Sequence, residues 1–348
     1  MEFEIIEFTP AGFDDPLLEE YIKIGLASDQ EIYPTDPVPP IERIKSDILK
    51  QHPHYSNPRW LALEKDSGKV LGIAYMEYKN ENSPEYADEA HVSFFDIKVL
   101  KGYRRNGIGT KLLQELTVYS QKIGKKKLMG EFCIDSGKQF TEKHKGRIGS
   151  EHGENRLYIK DINWELVHSW ISEAKGKAQD VTIETYTVIP DSILKEFCEL
   201  YTETEAQAPD YDSGDFESIW GTNPQERRES EKLIKEKGKS WITMVSHEPD
   251  GHLSGLTEIY FDPSIPYFIY QDLTGVREQY RGRNLGKWLK AEMLLYIKEH
   301  FPQAECIATG NSHRNAPMLS INHRLGFKKY ITWYLFSINL NEPNPGNK

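Results

Sequence analysis

"VLKGYRRNGIGTKLLQEL", residues 99–116, decides the fold. An apolar strand pattern runs into this stretch and an amphipathic helix pattern runs out of it. Between them stand Gly107 and Gly109, with Lys101, Arg104, Arg105 and Lys111 gathered around them in a chain of net charge -11. A helix start carries unpaired backbone N–H groups and a partial positive charge, so it can hold phosphate oxygens. Close approach of backbone to ligand favours glycine, and basic side chains add charge-assisted hydrogen bonds. The stretch therefore reads as an anion-binding turn at a helix tip.

The pattern is written twice. "GYRRNGIGTKLL" (102–113) returns as "QYRGRNLGKWLK" (279–290), with Tyr103, Arg104 and Gly109 matching Tyr280, Arg281 and Gly286. Upstream, "RWLALEKDSGKVLGIAYMEY" (59–78) is echoed by "SWITMVSHEPDGHLSGLTEIYF" (240–261), each a strand, a glycine-containing turn and a second strand. The chain thus reads as two copies of one fold, 1–172 and 181–348, joined by a polar linker at 173–180. Each copy is α/β in composition (α+β in layering), a mixed, largely antiparallel sheet flanked by helices, because adjacent strands are joined by hairpin-length turns.

Within the second copy the patterning predicts a strand at 181–189, a helix from Asp191, a charged helix from Pro224 to Lys237 and strands near 240–247, 252–261 and 267–276. A helix over 284–300, a strand at 304–309 and a helix opening at Asn315-Ala316-Pro317 complete it.

With 348 residues, of which 38% are hydrophobic, each copy can build a core. No stretch approaches the roughly 18 apolar residues of a membrane span. The opening "MEFEIIEFTP" lacks the features of a signal peptide, and Cys133, Cys198 and Cys306 are well separated without a CxxC pair. A cytoplasmic protein is expected, with the two cysteines that sit in apolar strand-like runs as buried, inert thiols. The acidic balance weighs against nucleic acid or an anionic membrane as partner. The eleven histidines show no HExxH spacing and no nearby cysteine partner, so no metal site is expected. A Walker A loop is absent, and the turn arrives too late in each copy for a Rossmann fingerprint.

These residues resemble the GNAT superfamily of acyl-CoA-dependent N-acyltransferases. Its members carry R/Q-x-x-G-x-G/A between the fourth strand and the third helix, and that loop holds the pyrophosphate of coenzyme A. "RRNGIG" (104–109) matches fully; "RGRNLG" (281–286) places Asn284 at the first glycine, and Asn tolerates left-handed geometry better than most residues. "TGNSHRNAPMLSINHRLGF" (309–327) is similar to the family's closing segment beside the pantetheine arm. The resemblance covers nearly the whole chain as two modules, an arrangement similar to that of mycothiol synthase.

The resemblance implies acetyl-CoA as co-substrate, without a metal, and a small-molecule or peptide amine as acceptor. It places the cofactor against Val99, Arg104, Arg105, Asn106, Gly107, Gly109 and Thr110 in the first copy. In the second it implies Val276, Arg281, Gly282, Arg283, Asn284, Gly286 and Lys287, with Asn311 and Asn315 along the pantetheine. A bulge in the fourth strand, around Val99 and Val276, would free N–H groups for the thioester oxyanion.

A base must take the amine's proton. Asp272 and Glu258 are the candidates in the second copy, Asp96 and Glu77 in the first. The family's tyrosine acid is replaced by Asn322, with Phe140 near the matching place in the first copy. The loop 201–220 carries Glu203, Glu205, Asp210, Asp212, Asp215 and Glu217 among aromatics and without Lys or Arg, which suits a cationic amine. The alternative is a non-catalytic acyl-CoA-binding sensor or scaffold. Oligomeric state stays open.

Overall fold

The alternating runs before each glycine turn form antiparallel hairpins, and two helices and a parallel crossover complete each sheet. The computed structural model describes residues 1–84, 86–207 and 222–340. It divides into two units, residues 1–149 with 334–348 and residues 150–333.

In chain order the first unit begins with β1 (Phe3–Phe8), α1 (Pro16–Ile32), α2 (Ile41–Leu49), β2 (Tyr55–Ser56), β3 (Arg59–Glu64) and β4 (Val70–Lys79). The short α3 (Tyr86–Glu89), β5 (Val92–Val99), α4 (Ile108–Lys122), β6 (Lys127–Phe132) and α5 (Asp135–Lys143) follow. The chain continues through β7 (Arg147–Tyr158), α6 (Trp164–Lys177), β8 (Thr182–Tyr186), α7 (Asp191–Glu205), α8 (Pro224–Glu236), β9 (Ser240–His247) and β10 (Leu253–Phe261). It closes with β11 (Phe268–Val276), α9 (Leu285–His300), β12 (Cys306–Ser312), α10 (Ala316–Leu325) and β13 (Lys328–Asn339).

In the first unit the strands lie in the order β1-β3-β4-β5-β6-β13. All neighbours are antiparallel except β5 and β6, which run parallel for three rungs, Val92↔Lys127 to Phe94↔Met129. Leu18, Ile22 and Ile24 of α1 cover one face against Leu61, Val70 and Ile73. Ile108, Leu112, Leu113 and Leu116 of α4 cover the other, against Trp60, Met76, Phe95 and Leu128. Asp15 caps α1 through Leu17 N at 2.9 Å, with Pro16 at the first helical position, a start that fixes φ without losing a useful donor.

In the second unit the order is β7-β12-β11-β10-β9-β8, again with a single parallel pair, Phe268↔Cys306 to Tyr270↔Ala308 of β11 and β12. α6 and α9 pack on one face through Trp170, Trp288, Leu289 and Met293; α7 packs on the other through Phe197 and Leu200.

The packed units cut across the halves 1–172 and 181–348 expected from the repeat. Residues His152–Tyr158 of β7, written in the first half, pair with β12 of the second unit. Residues Tyr334–Asn339 of β13, written in the second half, pair with β6 of the first. α6 follows β7, and its Trp170 and Ile171 enter the second core. Each unit thus takes its last sheet strand from the opposite half of the sequence. Phe336, Ile338 and Leu340 are buried in the first unit's core beside α4.

All three cysteines are free thiols, and burial pushes Cys198 up to about 11. Among the described residues no helix is long and apolar enough to cross a membrane.

Candidate active site

Each glycine turn is built from a pair of left-handed residues two positions apart. In the first they are Arg105 (φ 68°) and Gly107 (φ 83°); in the second, Gly282 (φ 84°) and Asn284 (φ 64°). The glycine has changed places between the two loops while the backbone has not. Gly107 and Asn284 are the residues before α4 and α9, and no side chain caps either helix, so the first N–H groups remain for a ligand. A methyl added at Gly286 would find its nearest side-chain atom 3.7 Å away, which leaves room at the helix tip.

The expected role of the leading arginines is modified by their partners. Arg104 Nε donates to Val99 O at 2.9 Å, and its two terminal nitrogens bind Glu31 at 2.9 and 2.7 Å. Arg281 Nε likewise donates to Val276 O at 3.4 Å and its NH2 to the Gln207 side chain. The Arg104 guanidinium braces its strand end against α1, and that of Arg281 braces its own against Gln207, two residues past the end of α7. Arg283 is paired with Glu248, and Asn106 binds Tyr103 O and Arg104 O within its own turn. Lys287 lies near Asn284 Oδ1 at 3.4 Å, whereas Thr110 accepts from Lys143 Nζ at 3.1 Å.

Past the three parallel rungs, no pairing continues between β5 and β6 or between β11 and β12. Each unit therefore opens a V beside its turn, and the two openings differ. Counting from the parallel rungs, Phe95 and Phe132 of the first correspond to Gln271 and Asn311 of the second. In the first, Phe95 lies edge-on to Phe336 at 5.6 Å and Phe132 stacks on Tyr334 at 5.2 Å. Phe140 reaches the helix tip, where a methyl on Gly109 would come within 3.2 Å of its ring. In the second, the opening is polar. Buried Asn322 donates to Asn311 Oδ1 at 2.6 Å and keeps an Oδ1 without a partner. Asn315 serves as N-cap of α10 through Met318 N at 3.2 Å.

The fourth strands differ too. β5 holds an unbroken register with β4 from Phe94 to Val99, so no bulge forms near Val99. β11 slips against β10 between Gln271↔Ile259 and Thr274↔Thr257, leaving Asp272 and Leu273 opposite Glu258 alone. That is a bulge, placed a few residues before Val276, and it leaves the ladder short of a rung. Buried Gln271 pins it by donating to Thr257 Oγ1 at 2.8 Å, while the Thr257 and Thr274 hydroxyls meet at 2.7 Å. Gly275 is obligatory here: a methyl would fall 2.4 Å from Thr204 Cβ of α7.

The bulge carries the carboxylate of interest. Burial, then the charges of Glu258 and Glu205, pushes Asp272 up to about 7. Glu205 is pushed to about 7 by burial and Glu258. Tyr201 and Tyr260 are held well above the ordinary phenol range by burial and then by Asp272 and Glu258, so both stay protonated donors. Glu258 itself is sealed, with Arg227 NH1 donating to its Oε1 at 2.9 Å. Glu203 is engaged by Arg277 at 2.8 Å. Asp210, Asp212, Asp215 and Glu217 lie outside the described residues.

The counterpart in the first unit is Asp96, raised by burial and balanced by Lys98, which stands 3.7 Å from it and 2.7 Å from Asp29. These groups floor a pocket of about 160 Å³ walled by Ile22, Leu26, Ile44, Ile48 and Ile73. Glu77 is exposed to the Asn57 amide at 2.9 Å. Sequence reasoning missed Arg227, Thr243 and Gln271. The signal for Arg227 was an arginine four residues before Glu231 on an otherwise solvated-looking helix, which reads as an ordinary surface pair.

Comparison with known proteins fits this geometry. Residues 25–136 match the model described as "Acetyltransferase (GNAT) family". The fold is similar to that of a tandem GNAT protein from the clavulanic acid biosynthesis pathway, at 18% identity and TM-score 0.76, covering 98% of this chain and 99% of that one. A GCN5-related N-acetyltransferase from Sphaerobacter thermophilus aligns at 16% identity and TM-score 0.63, over 97% and 96% of the two chains. The N-myristoyltransferase of Saccharomyces cerevisiae shares the fold at 11% identity and TM-score 0.58, over 97% and 78%. No curated protein sequence matches. The chain has the fold of a tandem GNAT protein, and within its first unit residues 25–136 match the GNAT family model.

Proposed function

We propose that the protein transfers an acetyl group from acetyl-CoA to a primary amine, in its second unit, by direct attack within a ternary complex. The observation that carries this is the bulge in β11, which sets Asp272 beside the V opening with a carboxyl group that exchanges its proton at about 7. A base serves best when its proton affinity lies near working pH.

In this reading Asp272 takes a proton from the incoming ammonium. The neutral amine attacks the thioester carbonyl, the C–N bond forms and the C–S bond breaks. The attacking nitrogen, cationic in the tetrahedral adduct, passes its second proton to the departing thiolate, directly or through water. The neutral amide and the free thiol of coenzyme A thus leave together, and Asp272 then gives its proton to solvent. Backbone N–H groups near the bulge and Val276 steady the oxyanion. The uncapped tip of α9, with Gly282, Asn284, Gly286 and Lys287, receives the diphosphate. Asn311 and Asn322 offer amide groups to the pantetheine arm. Asp272, Glu258 and Glu205 together make a cationic small-molecule amine the favoured acceptor. The free thiols suit the cytoplasm as location.

The aromatic filling of the first opening supports a non-catalytic role for that unit alone. Release of free thiol from acetyl-CoA, followed across a panel of diamines, polyamines and aminoglycosides, tests the proposal. Amine-dependent release is expected. Its absence across the panel, with acetyl-CoA binding intact by calorimetry, would assign the chain to the non-catalytic binders.

A further inference from the structure

Glu258 occupies a poor position for a base. It is wholly buried on β10, and its Oε1 accepts from Arg227 NH1 at 2.9 Å and from Thr243 Oγ1 at 2.5 Å. Its Oε2 has no hydrogen-bond partner. Arg227 is fixed in turn. Only 2% exposed, it donates from Nε to Glu231 at 2.9 Å and from NH2 to Thr243 at 2.9 Å. Its guanidinium lies 3.5 Å from the Trp241 ring centre and 4.8 Å from that of Phe197. A carboxylate held in this way neither swings toward a substrate nor meets water. It also stands at the β10 position that faces the two-residue bulge of Asp272 and Leu273.

We infer that Glu258 is a positioning residue: clamped by Arg227 and Thr243, it holds a carboxylate in one place opposite Asp272 across the β11 bulge and so sets the electrostatic surroundings in which that base works. The inference rests on the reading of Asp272 as the base. Among the described residues, the charged and titratable groups that act on Asp272 and its immediate neighbours are few. Glu258 and Tyr260 come from β10, Glu205 and Tyr201 from α7, and Arg227 from α8. Glu205 pushes in the same direction as Glu258, and Arg227 opposes them with the smaller effect. A buried ion pair contributes little net stability, because desolvation offsets attraction. A pair placed at this spot therefore fits an electrostatic duty better than a structural one.

The test is a titration of the Asp272 carboxyl carbon by NMR in the full-length chain labelled with ¹³C-aspartate, the signal identified by its loss in Asp272→Asn. Glu258→Gln is close to isosteric, and its amide oxygen can keep the bonds from Arg227 and Thr243, so the unit should fold. The midpoint should drop from about 7 by about one pH unit or more, and the acid limb of kcat/KM should move with it. Glu258→Asp, which draws the charge back by one methylene, should move the midpoint the same way by less and serves if the glutamine variant does not fold. An Asp272 midpoint unchanged in the variant that folds would overturn the inference. Turnover surviving in Asp272→Asn would instead remove Asp272 as the base, while the carboxyl titration would still decide whether Glu258 acts on it.

Discussion

The two units lay the same ladder beside the same kind of turn, and differ at a handful of matched positions. Pairing with the strand before it sets Lys98 of β5 level with Gly275 of β11, and Tyr75 level with Glu258. In the first unit a lysine therefore stands two residues after Asp96 and balances it. In the second the matching place is a glycine, α7 moves in through Thr204, and a second carboxylate faces the aspartate. Burial raises both aspartates; Lys98 opposes the rise in the first unit, while Glu258 and Glu205 add to it in the second. The backbone of the cofactor turn is shared; the chemistry is decided by what stands around the bulge and whether the bulge exists.

The largest expected effect lies on turnover. Asp272→Asn should lower kcat by about 10²–10⁴-fold, the usual worth of a positioned base, whereas Asp96→Asn should leave thiol release nearly unchanged with the same amine. The reverse result would exchange the roles of the units.

Next comes stability. Phe336→Ala removes a ring at the heart of the first unit's opening and should cost about 3–5 kcal/mol, read as an early transition in chemical denaturation. If that transition does not move, the aromatic cluster is not what closes the first V.

A smaller, pH-dependent effect separates the aspartates further. The folded state holds the Asp272 proton up to about 7, while the unfolded chain releases it near 3.9. The stability this gives is fully present below the lower value and lost as pH rises through the higher one. Asp272→Asn should thus raise the melting midpoint by several degrees at pH 8, with the gap narrowing at pH 5. An equal gap at both pH values would mean that the carboxyl is not raised.

The smallest effects concern the turns. Arg105→Gly and Asn284→Gly each place glycine at a left-handed position and should stabilise by under about 1 kcal/mol, strain relief being partly offset by chain entropy. A loss of stability in thermal denaturation would show that those side chains hold the turn.

Much of this was legible before the fold was seen. The duplicated turn, the hairpins and the helices from Pro224, Leu285 and Ala316 follow from period and capping, which are local. Asn284 was readable as a glycine substitute because αL tolerance belongs to the residue itself. The exchanged strands were not, since "RIGSEHGENRLY" and "KKYITWYLFSIN" name no partner and pairing is settled by tertiary packing. Arg104 was expected to face a phosphate, but Glu31, far earlier in the chain, takes it. Glu258 was recognisable as a strand carboxylate; its burial against Arg227 depends on how a distant helix docks. Side-chain destinations across such separations are long-range facts.

The exchange of strands also bears on how the chain comes into being. Phe336, Ile338 and Leu340, needed inside the first unit, leave the ribosome only after the whole of the second has been made. Until then α4 and β6 present an uncovered apolar edge, the kind of surface that chaperones hold and that aggregates when they do not. Cutting the chain between its two repeats would leave each half without the strand that completes its sheet.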